Sequence, residues 1–410
     1  MKKVSKLLIG VLSICGLGTL ASCDLSKIKD IIDKVKPVES TNIPENTIMY
    51  DDFQVHFLEL GNKNAGDSVY IKAGDNDILI DAGSKTSSAT TIENYVDKYC
   101  TDNKLEYVIA THAHEDHIAS MSGVKEKNGY NGILYHYNVD NIITFSQTAT
   151  ASNIYKNFLN AVDYCQNKGT KVYYASDFFD KNHNPKQSSH ISLGDNISMD
   201  ILYNQYYFEY AGDENNSSVI TMFNYNDHHF LFSGDLEKEG EEAMMKYYDN
   251  STEAKTLPEV DLFKAGHHGS KTSSNDCLLS QIKPKICVAC CCAGTTEYTD
   301  NRVNTFPTQE FINRIAKYTD AVYITSMWNE ETEKFESMNG NVVVSCDGTN
   351  IGLSASNNLI KLKDTEWFSH NVYVNDKDKI VSKDTEGAKT VPCRTMPKEW
   401  RWFYLFVCRC

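Results

Sequence analysis

Short apolar segments separated by turn residues follow one another from Phe53 onward. Residues 55–60 alternate between apolar and polar positions, which is typical of a half-buried strand, and residues 68–73 and 78–83 follow as two more strands. Residues 107–110 are continuously apolar, the pattern of a buried strand. Further apolar runs predict strands at 218–224, 229–232, 260–264, 286–292 and 321–325.

Helical stretches lie between these strands. Their periodicity predicts helices over residues 89–99, 118–124, 155–168, 237–248 and 308–318. Strands that alternate with helices indicate an α/β fold in which helices cover sheets. A chain of 410 residues then has room for one large domain with terminal additions.

One run after the strand at 107–110 concentrates metal-binding chemistry. It reads Thr111-His112-Ala113-His114-Glu115-Asp116-His117. Imidazole nitrogens completed by carboxylate oxygen suit zinc and similar divalent ions. Four donors so close in sequence crowd a single ion, so the spacing predicts two neighbouring ions, one on His112 and His114 and one on Asp116 and His117. A His-rich surface loop is the alternative interpretation.

Other acids and histidines fall directly after predicted strands. Asp81 follows the strand at 78–80, Asp235 follows the strand at 229–232, and His267 follows the strand at 260–264. Loops at strand ends converge to build sites in layered α/β folds. We therefore expect these side chains to meet the His-rich run in one crevice.

These residues resemble the metallo-β-lactamase fold superfamily of metal-dependent hydrolases. His112-x-His114-x-Asp116-His117 matches its signature, Asp235 its bridging carboxylate and His267 its last histidine, and the resemblance spans about residues 53–353. Residues 215–219, 232–235 and 264–273 are most similar to the hydrolase domain of ComEC-type DNA-uptake competence proteins. The resemblance implies a four-layer αββα sandwich. The signature indicates the fold specifically, but it says little about the substrate.

The same resemblance implies a mechanism with two divalent ions, zinc first and manganese as the alternative. A water shared by two cations has its pKa lowered towards neutrality, which gives a hydroxide nucleophile. Asp235 is then expected to bridge the ions and Asp116 to orient the nucleophile. Asp81 is expected to hold the His-rich loop from outside the ligand set. His268 and Lys271 are candidates for stabilising the developing negative charge, with a structural hydrogen bond and a solvated surface charge as their respective alternatives.

Two departures from the superfamily pattern concern the ligands and the substrate. A third histidine for the first ion is not evident: residues 215–218 read Asn-Asn-Ser-Ser, and His190 is the one histidine near them upstream. The competence-type His-Pro pair after the last strand is replaced by Phe306-Pro307, so one substrate contact is absent.

The N-terminus has the features of an export signal. Lys2, Lys3 and Lys6 precede an apolar stretch at 7–20, and Leu20-Ala21-Ser22-Cys23 resembles a lipobox in which Cys23 receives a lipid. An ordinary secretory signal or an uncleaved anchor is the alternative. The predicted organisation is a signal peptide at 1–22, a membrane tether at 23–50, a hydrolase domain at 51–353 and a C-terminal extension at 354–410. The predicted location is extracytoplasmic, lipid-anchored to a bacterial membrane.

Charge and cysteine usage narrow the choice of partners. The formal net charge of -15 disfavours long nucleic acid, because a polyanion is repelled unless metals or a local basic patch compensate. Of the 13 cysteines, Cys290-Cys291-Cys292 lie in a predicted strand, where neighbours face opposite sides, so core filling is favoured over a metal cluster. No protein partner is implied.

Three functions remain open. The first is a surface metallo-hydrolase of phosphodiester or phosphoester bonds in a small molecule, cell wall or nucleic acid. The second is a hydrolase of another ester or amide, such as a lactone or β-lactam. The third is a non-catalytic metal-binding or adhesive lipoprotein.

Overall fold

A computed structural model describes residues 49–126, 129–180, 185–250, 256–297, 304–329, 331–374 and 380–382. The predicted signal peptide, Cys23 and nearly all of the predicted tether lie outside these residues, as does most of the C-terminal tail. Among the described helices, none combines the length and the apolar character needed to cross a membrane.

Strands account for most of the architecture. In chain order they are β1 (Phe53–Phe57), β2 (Val69–Ala73), β3 (Asn76–Ile80), β4 (Lys104–Ala110), β5 (Lys125–Glu126), β6 (Gly129–Tyr130), β7 (Asn138–Thr144), β8 (Lys171–Tyr174), β9 (His190–Gly194), β10 (Ile197–Leu202), β11 (Ile220–Tyr225), β12 (His228–Phe232), β13 (Leu262–Lys264), β14 (Ile286–Ala293), β15 (Val322–Asn329), β16 (Lys334–Ser337), β17 (Val342–Cys346), β18 (Ile351–Ala355), β19 (Val372–Val374) and β20 (Ile380–Ser382).

The α-helices lie between the strands. They are α1 (Ala89–Val96), α2 (Glu115–Ser122), α3 (Ile133–His136), α4 (Asn153–Asn167), α5 (Lys238–Asn250), α6 (Asp276–Ile282), α7 (Gln309–Ile315) and α8 (Glu366–Asn371). Helix α4 shows why such segments form: Phe158, Ala161, Val162 and Cys165 are buried at helical spacing, and the Ser152 hydroxyl accepts the Tyr155 N–H at its start.

The strands form two eight-stranded sheets. Sheet 1 has the order β18-β17-β1-β2-β3-β4-β7-β8, and sheet 2 has the order β16-β15-β14-β13-β12-β11-β10-β9. In sheet 1, β3, β4, β7 and β8 run parallel, and in sheet 2 so do β12, β13, β14 and β15. Antiparallel strands complete both sheets.

The two sheets pack face to face around aromatic side chains. Phe53 of sheet 1 contacts Phe230 of sheet 2 with ring centroids 4.6 Å apart, and Phe57 contacts Phe232 at 6.3 Å. A second apolar cluster lies between sheet 2 and α5, α6 and α7, with Met244, Leu279 and Phe311 among its buried members. Helices α1 to α4 cover sheet 1 in the same way. The result is the αββα sandwich that the sequence predicts.

Two boundaries differ from the sequence prediction. The helix predicted at 118–124 begins at Glu115, inside the His-rich run, because the extended backbone of His114 caps it and Glu115 and Asp116 suit its first turn. The segment after 353 continues the domain for some distance: β18 ends at Ala355, and Leu362, Trp367 and Phe368 pack on the second apolar cluster. The prediction that residues 286–292 form a buried strand is confirmed, since every residue of β14 is buried.

Candidate metal centre

The ends of parallel strands bring the candidate residues together. Asp81 follows β3, the His-rich run follows β4, Asp235 follows β12, and His267 follows β13. In each sheet the two strands are parallel neighbours, so their carboxyl ends lie at the same edge. Both sheets therefore contribute side chains to one place.

Backbone hydrogen bonds tie the loops of sheet 1 to one another. The Ala82 N–H donates to the His117 carbonyl at 2.7 Å, and the Ser120 N–H donates to the Ala82 carbonyl at 2.7 Å. The Asp67 N–H donates to the Asp116 carbonyl at 3.1 Å. Gly83 permits this approach, because a Cβ there would overlap the Asp116 carbonyl oxygen. The close approach of the Asp116 carbonyl oxygen thus explains why position 83 is a glycine.

Four imidazoles converge on one carboxylate oxygen. The Oδ2 atom of Asp235 lies 3.1 Å from Nε2 of His117, 3.4 Å from Nε2 of His268, 3.8 Å from Nε2 of His267 and 4.0 Å from Nε2 of His112. Asp235 is 1% exposed. Neutral imidazole nitrogens and a carboxylate oxygen gather in this manner around cations that they share.

Two donor sets can be separated around Asp235. His112 Nε2 and His114 Nδ1 are 3.1 Å apart, and His268 Nε2 is 3.3 Å from Asp116 Oδ2. Two donors bound at 2.0–2.1 Å to one tetrahedral zinc are about 3.4 Å apart. The spacings place His112 beside His114 and Asp116 beside His268. We group His267 with the first pair and His117 with the second, with Asp235 common to both.

Asp81 fixes the tautomer of His117. Its Oδ2 atom is 2.8 Å from Nδ1 of His117 and accepts the Thr111 hydroxyl at 2.7 Å, while Oδ1 accepts the Thr111 N–H at 2.8 Å. Asp81 therefore holds a proton on Nδ1 of His117, which leaves Nε2, on the side of Asp235, as the nitrogen available to an ion. Metal-ligating histidines are commonly oriented by a carboxylate in this way.

Buried polar atoms without partners show that the residues suit a metal ion. Asp67 Oδ1, His117 Nε2 and Asp235 Oδ2 are buried and make no hydrogen bond within the described structure. Leaving such atoms unsatisfied is costly. Asp67, His117, Asp235 and His268 also form one of the groups whose donor atoms lie within 4.8 Å of one another. A divalent cation would satisfy His117 Nε2 and Asp235 Oδ2, whereas Asp67 Oδ1 faces Nδ1 of His268 at 3.2 Å.

The electrostatics of the centre favour cations. Burial alone would raise the pKa of Asp235, but His117, His268 and Lys264 hold it well below its usual range. Burial lowers the pKa of His268, and the carboxylates of Asp235 and Asp67 reverse this and raise it to about 10. Without an ion these imidazoles hold protons among the carboxylates, and a bound cation would replace those protons.

The histidines after β13 have an unusual backbone. His267 has φ 47° and His268 has φ 53°, which is the left-handed region that residues with a Cβ rarely adopt. The loop that follows is clamped by Arg314, whose guanidinium donates to the carbonyls of Lys271, Ser273 and Ser274 at 2.7–2.9 Å. This turn directs both imidazoles towards Asp235.

A buried carboxylate completes the clamp. Glu241 accepts the N–H groups of Ser274 at 2.6 Å and Asn275 at 2.9 Å. It lies on α5, whereas Arg314 lies on α7. Two helices behind sheet 2 thus hold the loop that carries the ligands.

The structure brings most of the sequence-predicted site residues together. His112, His114, Asp116, His117, Asp235 and His267 all lie in the cluster, with Asp81 behind His117. His268 was predicted to stabilise charge, yet its ring is fully buried beside Asp116 and Asp235, among the donors. His267 is then left for the first set, where the sequence shows no third histidine.

Two other predicted or considered residues lie elsewhere. Lys271 is exposed, and its ammonium donates to Asn304 Oδ1 at 2.7 Å. His190 is exposed on β9 at the edge of sheet 2, where it pairs with Asp200 at 2.7 Å. The histidine of the edge strand is thus outside the cluster.

Sequence reasoning missed Asp67 and Lys264. Asp67 comes before β2 in a polar loop, so it has the appearance of a turn residue. Lys264 ends the buried strand β13 and is 1% exposed. A lysine at the end of an apolar run beside the histidines was the available signal, because lysine is almost never fully buried unless it is paired.

A family comparison agrees with this geometry. Residues 61–157, which include the His-rich run and Asp81, match the model of the metallo-beta-lactamase superfamily. Over this stretch the chain is similar to metallo-β-lactamase domains. Proteins with this fold bind divalent metal ions, often two.

Individual relatives of the metallo-β-lactamase domain are distant. A stretch of 76 residues is 34% identical to Recombination protein 2 of Haemophilus influenzae, covering 18% of this chain and 8% of that protein. The match thus spans less than a tenth of the relative's length. The fold protein YhfI of Bacillus subtilis is 11% identical with a TM-score of 0.36, covering 67% of this chain and 96% of that one. CmlA, a diiron beta-hydroxylase from Streptomyces venezuelae, is 14% identical with a TM-score of 0.33, covering 67% and 45% respectively.

Proposed function

We propose that the protein is a hydrolase of phosphodiester or phosphoester bonds that uses two divalent ions and acts on the outer face of a bacterial membrane. The observation that carries the proposal is the convergence of four imidazole Nε2 atoms on Asp235 Oδ2 within 4.0 Å. A site of imidazole nitrogens and carboxylate oxygens suits zinc. Manganese is the alternative, because it also binds carboxylate oxygens.

The chain's own residues prepare the reaction. Divalent ions in such a site polarise an ester oxygen and lower the pKa of water. Asp235 places its Oδ2 between the two donor sets, and Asp116 adds the second carboxylate beside His268. Asp81 keeps the His117 proton on Nδ1 and its Nε2 lone pair towards the centre. Together these side chains form a rigid, preorganised set of metal donors.

A local cation supports an anionic substrate. The protein has a net charge of -15, which repels anions in general. Lys271 follows the ligand turn and makes no ion pair with any described residue, and its exposed ammonium donates to neutral Asn304. Lys271 comes three residues after His268 in the chain, and a positive group on that loop would favour phosphoesters over neutral lactones and lactams. The match to Recombination protein 2 adds nucleic acid to the substrates worth testing.

A substrate panel tests the chemistry. The metal-loaded full chain is assayed with bis-p-nitrophenyl phosphate, phosphorylcholine esters, single- and double-stranded DNA, a lactone and nitrocefin. We expect cleavage of at least one phosphoester and loss of that activity in Asp116→Ala. Asp140→Ala is the matched control, since Asp140 pairs with Lys104 at 2.7 Å and has no part in the centre. Cleavage of nitrocefin or the lactone alone, or an active Asp116→Ala, contradicts the proposal.

Membrane anchoring is tested separately. We propose that Cys23 carries the lipid, on the basis of the Leu20-Ala21-Ser22-Cys23 pattern. In bacteria that make the protein, the full chain should partition with membranes, and Cys23→Ser should abolish labelling by a fatty-acid probe. Equal labelling of both proteins would refute anchoring and leave the hydrolase proposal intact.

A further inference from the structure

Lys264 is a buried cation at the back of the metal centre. Its ammonium contacts Asp67 Oδ2, the Gly234 carbonyl at 3.0 Å and Asp235 Oδ1 at 3.3 Å. The lysine side chain is 2% exposed, so water does not screen these contacts. The ammonium holds the oxygen of Asp235 that does not face the imidazoles.

Asp67 connects this cation to a histidine of the second set. Its Oδ2 contacts Lys264, and its Oδ1 lies 3.2 Å from Nδ1 of His268. That Nδ1 also lies 3.0 Å from the Cys290 carbonyl, so its proton is held on the side away from the centre. His268 Nε2 is then left facing Asp116 and Asp235.

A related arrangement occurs on His117, where the carboxylate itself accepts the hydrogen bond from Nδ1. Asp81 lies at 2.8 Å from Nδ1 of that ring, and Nε2 faces Asp235. Both imidazoles of the second set thus have a buried carboxylate behind them. They differ in that Asp81 takes N–H and O–H donors from Thr111, whereas Asp67 takes an ammonium. An acid paired with an ammonium is a poorer ligand for a cation than a free one.

We propose that Asp67 is a positioning residue that orients His268 for the second ion, and that Lys264 is the counter-ion that keeps Asp67 from binding the ion itself. This inference rests on the proposed two-metal function. The pair adds no net charge, so it fixes the geometry of the centre without changing its charge balance. It acts on the second ion and leaves the first ion, held by His112, His114 and His267, little affected.

Metal titration of the full chain tests the pair without reference to activity. The protein is stripped of metal and titrated with zinc against a competing chelator dye, and His114→Ala identifies the constant that belongs to the first set. We expect Asp67→Asn to lower the affinity for the second zinc ion by about 10- to 100-fold, because the orienting carboxylate is lost. The affinity for the first zinc ion should change by less than about threefold. In a titration with cobalt, the absorption spectrum of this variant should show that one site fills before the other.

Two further variants separate positioning from folding. Asp261→Asn is the matched control, because Asp261 also lies between a histidine and a lysine, 3.1 Å from His228 and 2.7 Å from Lys285, outside the centre. It should leave both zinc constants unchanged. Asp67→Asn combined with Lys264→Met should recover part of the lost affinity, since the ammonium that has lost the Asp67 carboxylate and repels the ion is removed.

Each alternative result has a distinct meaning. Unchanged zinc constants in Asp67→Asn, or equal weakening of both ions, would overturn the positioning role. Tighter binding of the second ion in Lys264→Met, together with a cobalt spectrum of higher coordination, supports the counter-ion role, and an unchanged constant and spectrum would overturn it. A wild-type chain that binds no zinc, manganese or cobalt would refute the proposed function instead.

Discussion

At the scale of single residues, Asp81 decides which nitrogen of His117 carries the proton. The carboxylate accepts from the Thr111 N–H and hydroxyl and from His117 Nδ1. Because all these partners donate, only an acceptor on both oxygens satisfies them. An amide at this position would present an NH₂ group to one of them.

Asp81→Asn should therefore weaken metal binding without unfolding the domain. If the amide oxygen keeps the Thr111 N–H, its NH₂ faces His117 and moves the ring proton to Nε2, the atom that faces Asp235. We expect about 10- to 100-fold weaker zinc binding, measured by competition with a chelator. Asp200→Asn, which disturbs the His190–Asp200 pair on β10, should bind zinc as the wild type does. Normal zinc affinity in Asp81→Asn would show that Asp81 does not orient His117 for metal binding.

Gly83→Ala should destabilise the whole domain. A Cβ at this position overlaps the Asp116 carbonyl oxygen, so the loops that carry Asp81 and Asp116 must separate. We expect a loss of several kcal/mol in the free energy of unfolding, measured by urea denaturation. Gly74→Asn is the control, since no atom lies within 4 Å of that position and asparagine tolerates its left-handed backbone. Equal stability of the two variants would contradict the steric explanation.

The sequence pointed to the candidate ligands more clearly than to Asp67 and Lys264, which contact them from outside the donor cluster. His112, His114, Asp116 and His117 are found by spacing, and Asp81 and Asp235 by their place after apolar strands. Asp67 lies before a strand, where polar residues are common in turns, so its pattern carries no chemistry. The position of His268 beside Asp116 and Asp235 depends on the left-handed φ angles of His267 and His268, which the residue types alone do not predict.

At the scale of elements, helices α5 and α7 hold the loop that carries two of the ligands. Glu241 of α5 accepts the N–H groups of Ser274 and Asn275, and Arg314 of α7 donates to three carbonyls. The loop has little regular structure of its own. Its shape therefore depends on side chains from behind sheet 2.

Glu241 gives this clamp a pH dependence. Burial raises the pKa of Glu241 from 4.5 to about 7. The folded protein then binds a proton that the unfolded chain has released, so this stabilising contribution is complete below pH 4.5 and is lost as the pH rises through 7. The difference is at most about 3 kcal/mol.

Glu241→Gln should remove that part of the pH dependence. The free energy of unfolding is measured for both proteins at pH 5 and pH 8, and the wild type should lose more stability over this interval. Glu242→Gln is the matched control, because Glu242 is the exposed neighbour that pairs with Lys238. If Glu241→Gln and Glu242→Gln have the same pH profile, the buried carboxylate is not the titrating group.

The order of elements could be predicted from the sequence, but their exact ends could not. The predicted strands at 107–110 and 260–264 correspond to β4 and β13, because their apolar character reflects burial on both faces. Helix α2 begins earlier than predicted, since the acids of its first turn were interpreted only as ligands. Residues that serve the site and the helix together are where local patterns mislead.

At the scale of the whole molecule, the centre is divided between the two sheets. Sheet 1 supplies the His-rich run and Asp81, and sheet 2 supplies Asp235, His267 and His268. A bound ion would hold the loops of both sheets together. Metal binding and the stability of the sandwich should therefore be coupled.

Removal of metal should lower the melting temperature. An ion at 100 times its Kd stabilises the folded state by about 2.7 kcal/mol, which corresponds to a shift of roughly 5–10 °C. The measurement is thermal unfolding with zinc and with a chelator. Asp235→Ala, which lacks the oxygen common to both sets, should show a much smaller zinc-dependent shift. A wild type that melts at the same temperature in both conditions would disprove the coupling.

The placement of β1 between β17 and β2 has a consequence for how the protein is made. Sheet 1 starts with residues from the beginning of the domain and is finished by β17 and β18, which are the last of its strands to be synthesised. A ribosome-bound or truncated chain that ends before Val342 lacks two strands of the sheet that carries the His-rich run. We therefore expect the candidate metal centre to form only when synthesis of this domain is nearly complete.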